Sequence, residues 1–227
     1  MSTVAFADIY ERAAARKGGT EALEAMLAES TILTPDALAA IPDDRWLSQA
    51  SKMIFSAGFN WKVVDQKWPA HEVAFDTFVP AAIAHFPDER LHDLASDASI
   101  IRHGGKIKSV QDNALWFLHV AETFGSFGAM VGQWPVTDYF SLLAKMKKEG
   151  TRLGGTTGQY FLRFMGAPSF IASASVEAAL RQNGVIEKAL TTKAGQQAAQ
   201  DACNRWMDES GRSLTTVSRV LAFSTDA

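Results

Sequence analysis

Apolar residues return every three or four positions along nearly the whole of this chain, and no segment alternates with the period of two that a half-buried strand requires. Between Asp43 and Gly58, Trp46, Leu47, Ala50, Ile54 and Ala57 share one helical face, with acids in the first turn and a glycine at the stop. The same pattern predicts helices over Ala5–Lys17, Thr20–Glu29, Trp61–Trp68, Val79–Phe86, Asp88–Ser96 and Lys106–Phe124. It continues over Asp138–Glu149, Thr156–Met165, Val176–Gln182, Lys193–Ser210 and Leu214–Phe223, with another helix start at Thr34-Pro35-Asp36. The expectation is an all-α fold of about eleven helices. At 227 residues the chain buries enough surface to stand without a staple. It is expected to form one compact unit over 1–227, with residues 1–42 and 176–227 packing as helical parts on 43–166.

Hydrophobic residues at 47% and charged residues at 21% exclude a disordered or collagen-like chain. Cys203 is the only cysteine, so neither an intramolecular disulfide nor a multi-cysteine zinc site is expected, and the chain suits a reducing cytoplasm. No run of 18 apolar residues occurs, and the N-terminal stretch reads as neither a signal peptide nor a membrane anchor. The five histidines show no HExxH or paired metal spacing, so no metal and no cofactor are expected.

The net charge of −3 hides an asymmetry. From Asp36 to Asp97 there are ten acids against five bases. From Ala98 to Gln111 there are no acids, while Arg102, Lys106 and Lys108 stand with His103 beside them; from Ser141 to Ser175 five bases face Glu149 alone. Local positive patches on a mildly acidic body suit a protein that touches a few phosphates, although a solvated helix face has the same composition. Two glycine-containing turns fall inside the basic regions, Ser99–Lys106 and Gly150–Thr157, each feeding a helix. A helix start offers unpaired N–H groups to an anion, and glycine lets the backbone come close. The same turns also read as ordinary helix–turn–helix corners with good caps.

Three stretches then carry a resemblance. DDRWLSQASKMIFSAGFNW (Asp43–Trp61), IIRHGGKIKSVQDNA (Ile100–Ala114) and LGGTTGQYFLRFMG (Leu153–Gly166) stand in the order, and at similar intervals, found in the bacterial 3-methyladenine DNA glycosylase I family. The chain resembles a divergent member of that family, part of the helix-hairpin-helix DNA glycosylase superfamily. The resemblance implies a compact helical fold that binds duplex DNA, turns a damaged nucleotide out of the stack and cleaves its glycosidic bond. It implies that Gly154, Gly155, Thr156 and Thr157 hold a phosphate, and that Arg102, His103, Gly104 and Lys106 lie along the bent strand. Trp61 matches the ring that stacks on the extruded base, with Met53, Ser56, Asn60 and Tyr160 lining the same pocket. Phe55 and Phe59 read either as pocket rings or as core. An N-alkylated purine is cationic, so its glycosidic bond is already weakened, and each aromatic face favours it by about 0.5–2 kcal/mol.

The departures are as specific as the matches. Met53 stands where family members carry a glutamate that reads the edge of the base, and a thioether is a poor acceptor. Asp65, one helical turn after Trp61, reads either as a substitute carboxylate or as a surface group. The family's zinc site of two cysteines and two histidines cannot be built around Cys203 alone. Ser173 falls at the superfamily's catalytic aspartate, with Ser175 where a histidine often stands, so no catalytic carboxylate is assigned. Thr157 falls at the lysine that forms a Schiff base in bifunctional members, so the implied activity is monofunctional, without AP lyase. The implied function is excision of alkylated purines, 3-methyladenine foremost, from duplex DNA in base excision repair. The protein would act as a cytoplasmic monomer without membrane or obligate protein partner. The alternatives are a catalytically silent DNA-binding module and a glycosylase for another base.

Overall fold

The computed structural model describes residues 4–225, and among them there are fourteen α-helices and no strand. In chain order they are α1 (Phe6–Lys17), α2 (Thr20–Ala28), α3 (Pro35–Ala39), α4 (Asp43–Ser56), α5 (Trp61–Ala74), α6 (Pro80–Ile83) and α7 (Asp88–Ser96). They continue with α8 (Gly104–Phe124), α9 (Phe127–Gln133), α10 (Tyr139–Glu149), α11 (Thr156–Phe164), α12 (Ala174–Gln182), α13 (Lys193–Ser210) and α14 (Leu214–Phe223). The all-α expectation holds. Side-chain caps mark many of the starts: Thr34, Asn60, Ser126, Ser173, Thr192 and Ser213 each accept from a backbone N–H in the first turn.

Two elements differ from the sequence pattern. Helix α5 does not stop at Trp68; it runs through Pro69 to Ala74. Proline withholds one N–H from the Asp65 carbonyl, but both residues face solvent, where water can serve that carbonyl. Burial of Trp68, His71 and Ala74 along the other face makes continuation favourable. Helix α9 was not expected in a glycine-rich stretch. Its glycines allow the backbone of α3 to lie against it: a Cβ on Gly128 would stand 2.3 Å from the Leu38 carbonyl oxygen, and one on Gly132 2.6 Å from that of Pro35. Close packing here outweighs low helix propensity.

The described residues form two packed units. One draws on Met1–Leu33, Pro135–Leu142 and Gly166–Ala227, and its core includes Ile9, Leu23, Phe170, Trp206, Val217 and Leu221. The Trp206 indole donates to the Val4 carbonyl at 3.1 Å, and the Tyr139 hydroxyl to that of Phe170 at 3.0 Å.

The other unit comprises Thr34–Trp134 and Leu143–Met165. Its central helix is α4, which packs against α5, α8, α9 and α11. Trp46 of α4 is fully buried between Phe127 and Phe161, and Phe127 stacks on Phe117 with centroids 4.0 Å apart. Asp43 accepts from the Phe127 amide at 2.9 Å, capping α9; burial pushes its carboxyl up, against the lowering effect of the Phe127 and Gly128 amides. Arg45 grips Glu72 of α5 through two 3.0 Å hydrogen bonds. Asp43 and Arg45 thus serve to lock α4 to its neighbours.

Candidate nucleic-acid interface and base-binding face

All the sequence-predicted site residues lie in the second unit. The basic turn is held from below by α5. The Lys67 ammonium donates to the carbonyls of Ala98, Ser99 and Ile100 at 2.8, 3.2 and 3.2 Å. His71, wholly buried, accepts from the Ile101 N–H through Nε2 at 3.2 Å, while Nδ1 faces the Lys67 carbonyl at 2.9 Å. These contacts assign the neutral tautomer with the proton on Nδ1. Burial pushes the imidazole below its ordinary range. Beyond this brace, Arg102 and Gly104 are exposed, and His103 caps α8 by accepting from the Lys106 N–H at 3.3 Å.

Lys106 takes a different place from the one its charge suggests. The residue is only 5% exposed, and its ammonium donates to the carbonyls of Phe55 at 3.0 Å and Ala57 at 2.6 Å. It closes the C-terminal end of α4 from inside, with Phe59 under the cation at 4.4 Å. The expected strand-gripping role is therefore corrected to a capping one. Burial, with the Arg152 charge added, holds this amine below the ordinary lysine range.

The hairpin turn between α10 and α11 is fixed by Asn113, a fully buried residue of α8. Its amide donates to the Thr151 carbonyl at 3.0 Å and accepts from the Thr151 N–H at 2.8 Å, as a paired strand would. Gly155 precedes α11 at φ 61°, a left-handed conformation suited to glycine, and no side chain caps the helix. Gly155 and Thr156 are exposed, and Gly154 and Thr157 half-buried. Gly158 lets the helix lie on the turn, since a Cβ there would stand 2.3 Å from the Leu153 carbonyl oxygen.

Arg152, a residue that charge counting noted but did not single out, ties the two turns together. It stands at φ 62° and its Nε donates to the Gly105 carbonyl at 3.2 Å. Arg152, Lys106, Gly154, Thr157, Ile54 and Ala57 line a concavity of about 380 Å³. Nothing in a one-dimensional pattern links residue 152 to residue 105; the contact exists only in the fold.

The aromatic face lies where α5 begins and α11 passes. Trp61 is 43% exposed and meets the Tyr160 ring edge-on at 5.7 Å. Phe164, 55% exposed, is 5.8 Å from Trp61 and also stacks beside Tyr160. Sequence reasoning missed Phe164, although its spacing of one helical turn from Tyr160 was the signal that could have found it. Of the other pocket candidates, Met53, Ser56 and Phe55 are turned inward, while Asn60 and Asp65 are exposed. Met53 is buried, and Ser56 is buried with its hydroxyl donating to the Lys52 carbonyl at 2.8 Å. Asn60 caps α5 by accepting from the Lys62 N–H at 2.9 Å. Asp65 is paired with Lys52 at 2.7 Å. Phe55 is a core ring, edge-on to Trp68 and His71.

The zinc that the family resemblance implies finds no matching donors. Cys203 is buried with its thiol pushed up to about 12, and among the described residues no three His, Cys, Asp or Glu side chains are grouped to hold a metal ion. Ser173, at the superfamily's aspartate position, caps α12 by accepting from the Val176 N–H at 3.2 Å.

Helices arranged in this way, with a tight hairpin feeding one of them, define the class of helical helix-hairpin-helix DNA glycosylase folds. The 8-oxoguanine DNA glycosylase of Methanocaldococcus jannaschii superposes with a TM-score of 0.53 at 13% identity, covering 95% of this chain and 92% of that one. The 3-methyladenine DNA glycosylase I of Staphylococcus aureus superposes at 0.51 and 20% identity, over 60% of this chain and 80% of that one. At such identities these likenesses speak for the fold. Within that class, the methyladenine glycosylase family model matches residues 51–151. DNA-3-methyladenine glycosylase 1 of Escherichia coli is 35% identical over 66 residues, a match spanning 29% of this chain and 35% of that relative. Through this segment the chain is similar to the methyladenine glycosylase family, and it spans about a third of the length of that curated relative.

Proposed function

We propose that this protein is a monofunctional DNA glycosylase that excises alkylated purines, 3-methyladenine foremost, from duplex DNA. The observation that carries the reading is the open ring face at Trp61, held in the same unit as the two tied basic turns. Duplex DNA hides the target atoms, so the reaction needs both a grip on the strand and a surface for the extruded base. Arg102, Arg152 and the uncapped start of α11 supply the first, and Trp61 with Tyr160 the second.

The chemistry asked of the chain is modest. An N-alkylated purine leaves as a neutral base once the bond from its ring nitrogen to C1′ breaks and water adds at C1′. Stacking holds the base in place, which matters more than acid assistance for so good a leaving group. Thr157 stands where a Schiff-base lysine would be, so the product is an intact strand with an abasic site. The reading fits a monomer at work in the cytoplasm on chromosomal DNA, where the single thiol, Cys203, is buried.

The test is chromatography of free bases released from methylated duplex DNA, with strand nicking scored before and after alkali. Release of 3-methyladenine without a nick is expected. Base–aromatic stacking of about 1–3 kcal/mol predicts roughly a 5- to 150-fold loss of release in Trp61→Ala with duplex affinity retained. Normal release by that variant would remove Trp61 from the pocket. The second reading, a silent DNA-binding module, is favoured by two observations: Met53 replaces the edge-reading carboxylate, and Ser173 serves as a cap. It predicts duplex binding with no base released.

A further inference from the structure

We infer that Phe164 is a third ring of the base-binding face, and that its ring strengthens the hold of this face on positively charged, N-alkylated purines. The inference rests on the glycosylase reading of the same site. Helix α11 has already buried an apolar side, with Phe161 and Leu162 in the core. Tyr160 and Phe164 project from a different side, one turn apart, with rings 6.3 Å apart and 29° from parallel. Trp61 of α5 closes the group, at 81° to Tyr160 and 52° to Phe164. The packing of α11 does not call for a phenylalanine left 55% exposed on this side. Together the three rings form one apolar surface from two helices.

The occupant follows from what the polar neighbours are doing. The acceptors that the sequence placed at the edge of the base offer it little. Met53 has no strong acceptor, and the Ser56 hydroxyl donates to the Lys52 carbonyl. The Asn60 side-chain oxygen caps α5, and the Asp65 carboxylate is bound to Lys52. Ring faces remain. They carry partial negative charge and attract a cation by about 0.5–2 kcal/mol each, whereas an uncharged base gains only apolar contact. Phe164 adds one such face to those of Trp61 and Tyr160.

The test compares two small probes, 3,9-dimethyladeninium and uncharged 9-methyladenine, titrated calorimetrically into the wild-type protein, Phe164→Leu and Phe164→Tyr. Thermal unfolding would verify that each variant is folded, as the exposure of Phe164 predicts. Wild type should favour the cation. Phe164→Leu should weaken cation binding by roughly 2- to 30-fold, the equivalent of one ring face, and leave 9-methyladenine within about twofold. Phe164→Tyr should restore the preference. An unchanged cation affinity in Phe164→Leu, equal losses for both probes, or no cation binding by wild type would each overturn the inference. If the charge preference is found but methylated duplex DNA yields no free base, the ring face stands and the glycosylase reading falls.

Discussion

Arg102 and Lys106 sit four residues apart in one basic turn, and charge alone gives them the same role. Their surroundings separate them. Arg102 is exposed, whereas the Lys106 ammonium is buried against two carbonyls at the end of α4. Removing a donor from buried acceptors costs about 1–3 kcal/mol. Lys106→Ala should therefore lower the denaturation midpoint by an equivalent amount. Arg102→Glu should change stability by no more than about 0.5 kcal/mol and reduce duplex affinity. Urea unfolding and a fluorescence-anisotropy titration read the two effects separately. A stable Lys106→Ala that simply binds DNA less well would return Lys106 to the interface. The distinction could not be drawn from sequence, because a lysine's stem reaches far enough to bury its charge when carbonyls converge on it.

At the scale of elements, α5 does two jobs along its length. Trp61 stands at its start, while Lys67 and His71 hold the 98–101 segment that leads into the exposed turn. The His71 contact has a pH dependence. Burial lowers its folded-state value from the ordinary 6.5; the Lys67 ammonium lowers it further, and Asp97 and the Lys67 carbonyl oppose the shift. Between 6.5 and that depressed value the unfolded chain binds the extra proton and the folded one does not. The stability that neutral His71 contributes is thus complete above about pH 6.5, falls as pH drops, and levels off below the folded value. Urea unfolding of wild type and His71→Gln from pH 8 to pH 5 should show this decline in wild type and a flatter profile in the variant. Parallel profiles would mean that another group sets the dependence.

The sequence revealed the helices and the order of the three matched stretches, because amphipathic period and cap chemistry are local. Helix α9 and the extension of α5 past Pro69 escaped it. In both, contacts with distant residues decide the outcome: Gly128 against Leu38, and Trp68 and His71 against Phe55 and the Ile101 N–H. The candidate site divides in the same way. Trp61 and the hairpin were legible as motifs, while Arg152 and Phe164 become visible only when turns and helices are brought together.

For the molecule as a whole, a net charge of −3 means that the proposed DNA binding would rest on a few local cations rather than on a general field. The basic regions contain more positive residues than are available. Lys108 is paired with Asp112 and Lys145 with Glu149, and Lys106 is buried. Arg163 is half-buried, and Arg102, Lys147, Lys148 and Arg152 are exposed and remain for the phosphates. The backbone amides at the start of α11 add hydrogen bonds but no full charge, so they release no counterion by themselves. Four neutralised phosphates at roughly −0.9 each predict a log–log salt slope of about −3.6 for duplex binding. Arg152→Gln should reduce the magnitude by about one, with a further loss from the freed Gly105 carbonyl appearing as a salt-independent offset. A slope near −8 would require cations beyond these four, and a slope unchanged in Arg152→Gln would leave that arginine as a tie between turns and nothing more. The measurement thus weighs the interface without knowledge of the lesion, and separates the residues that meet the strand from those that only hold them in position.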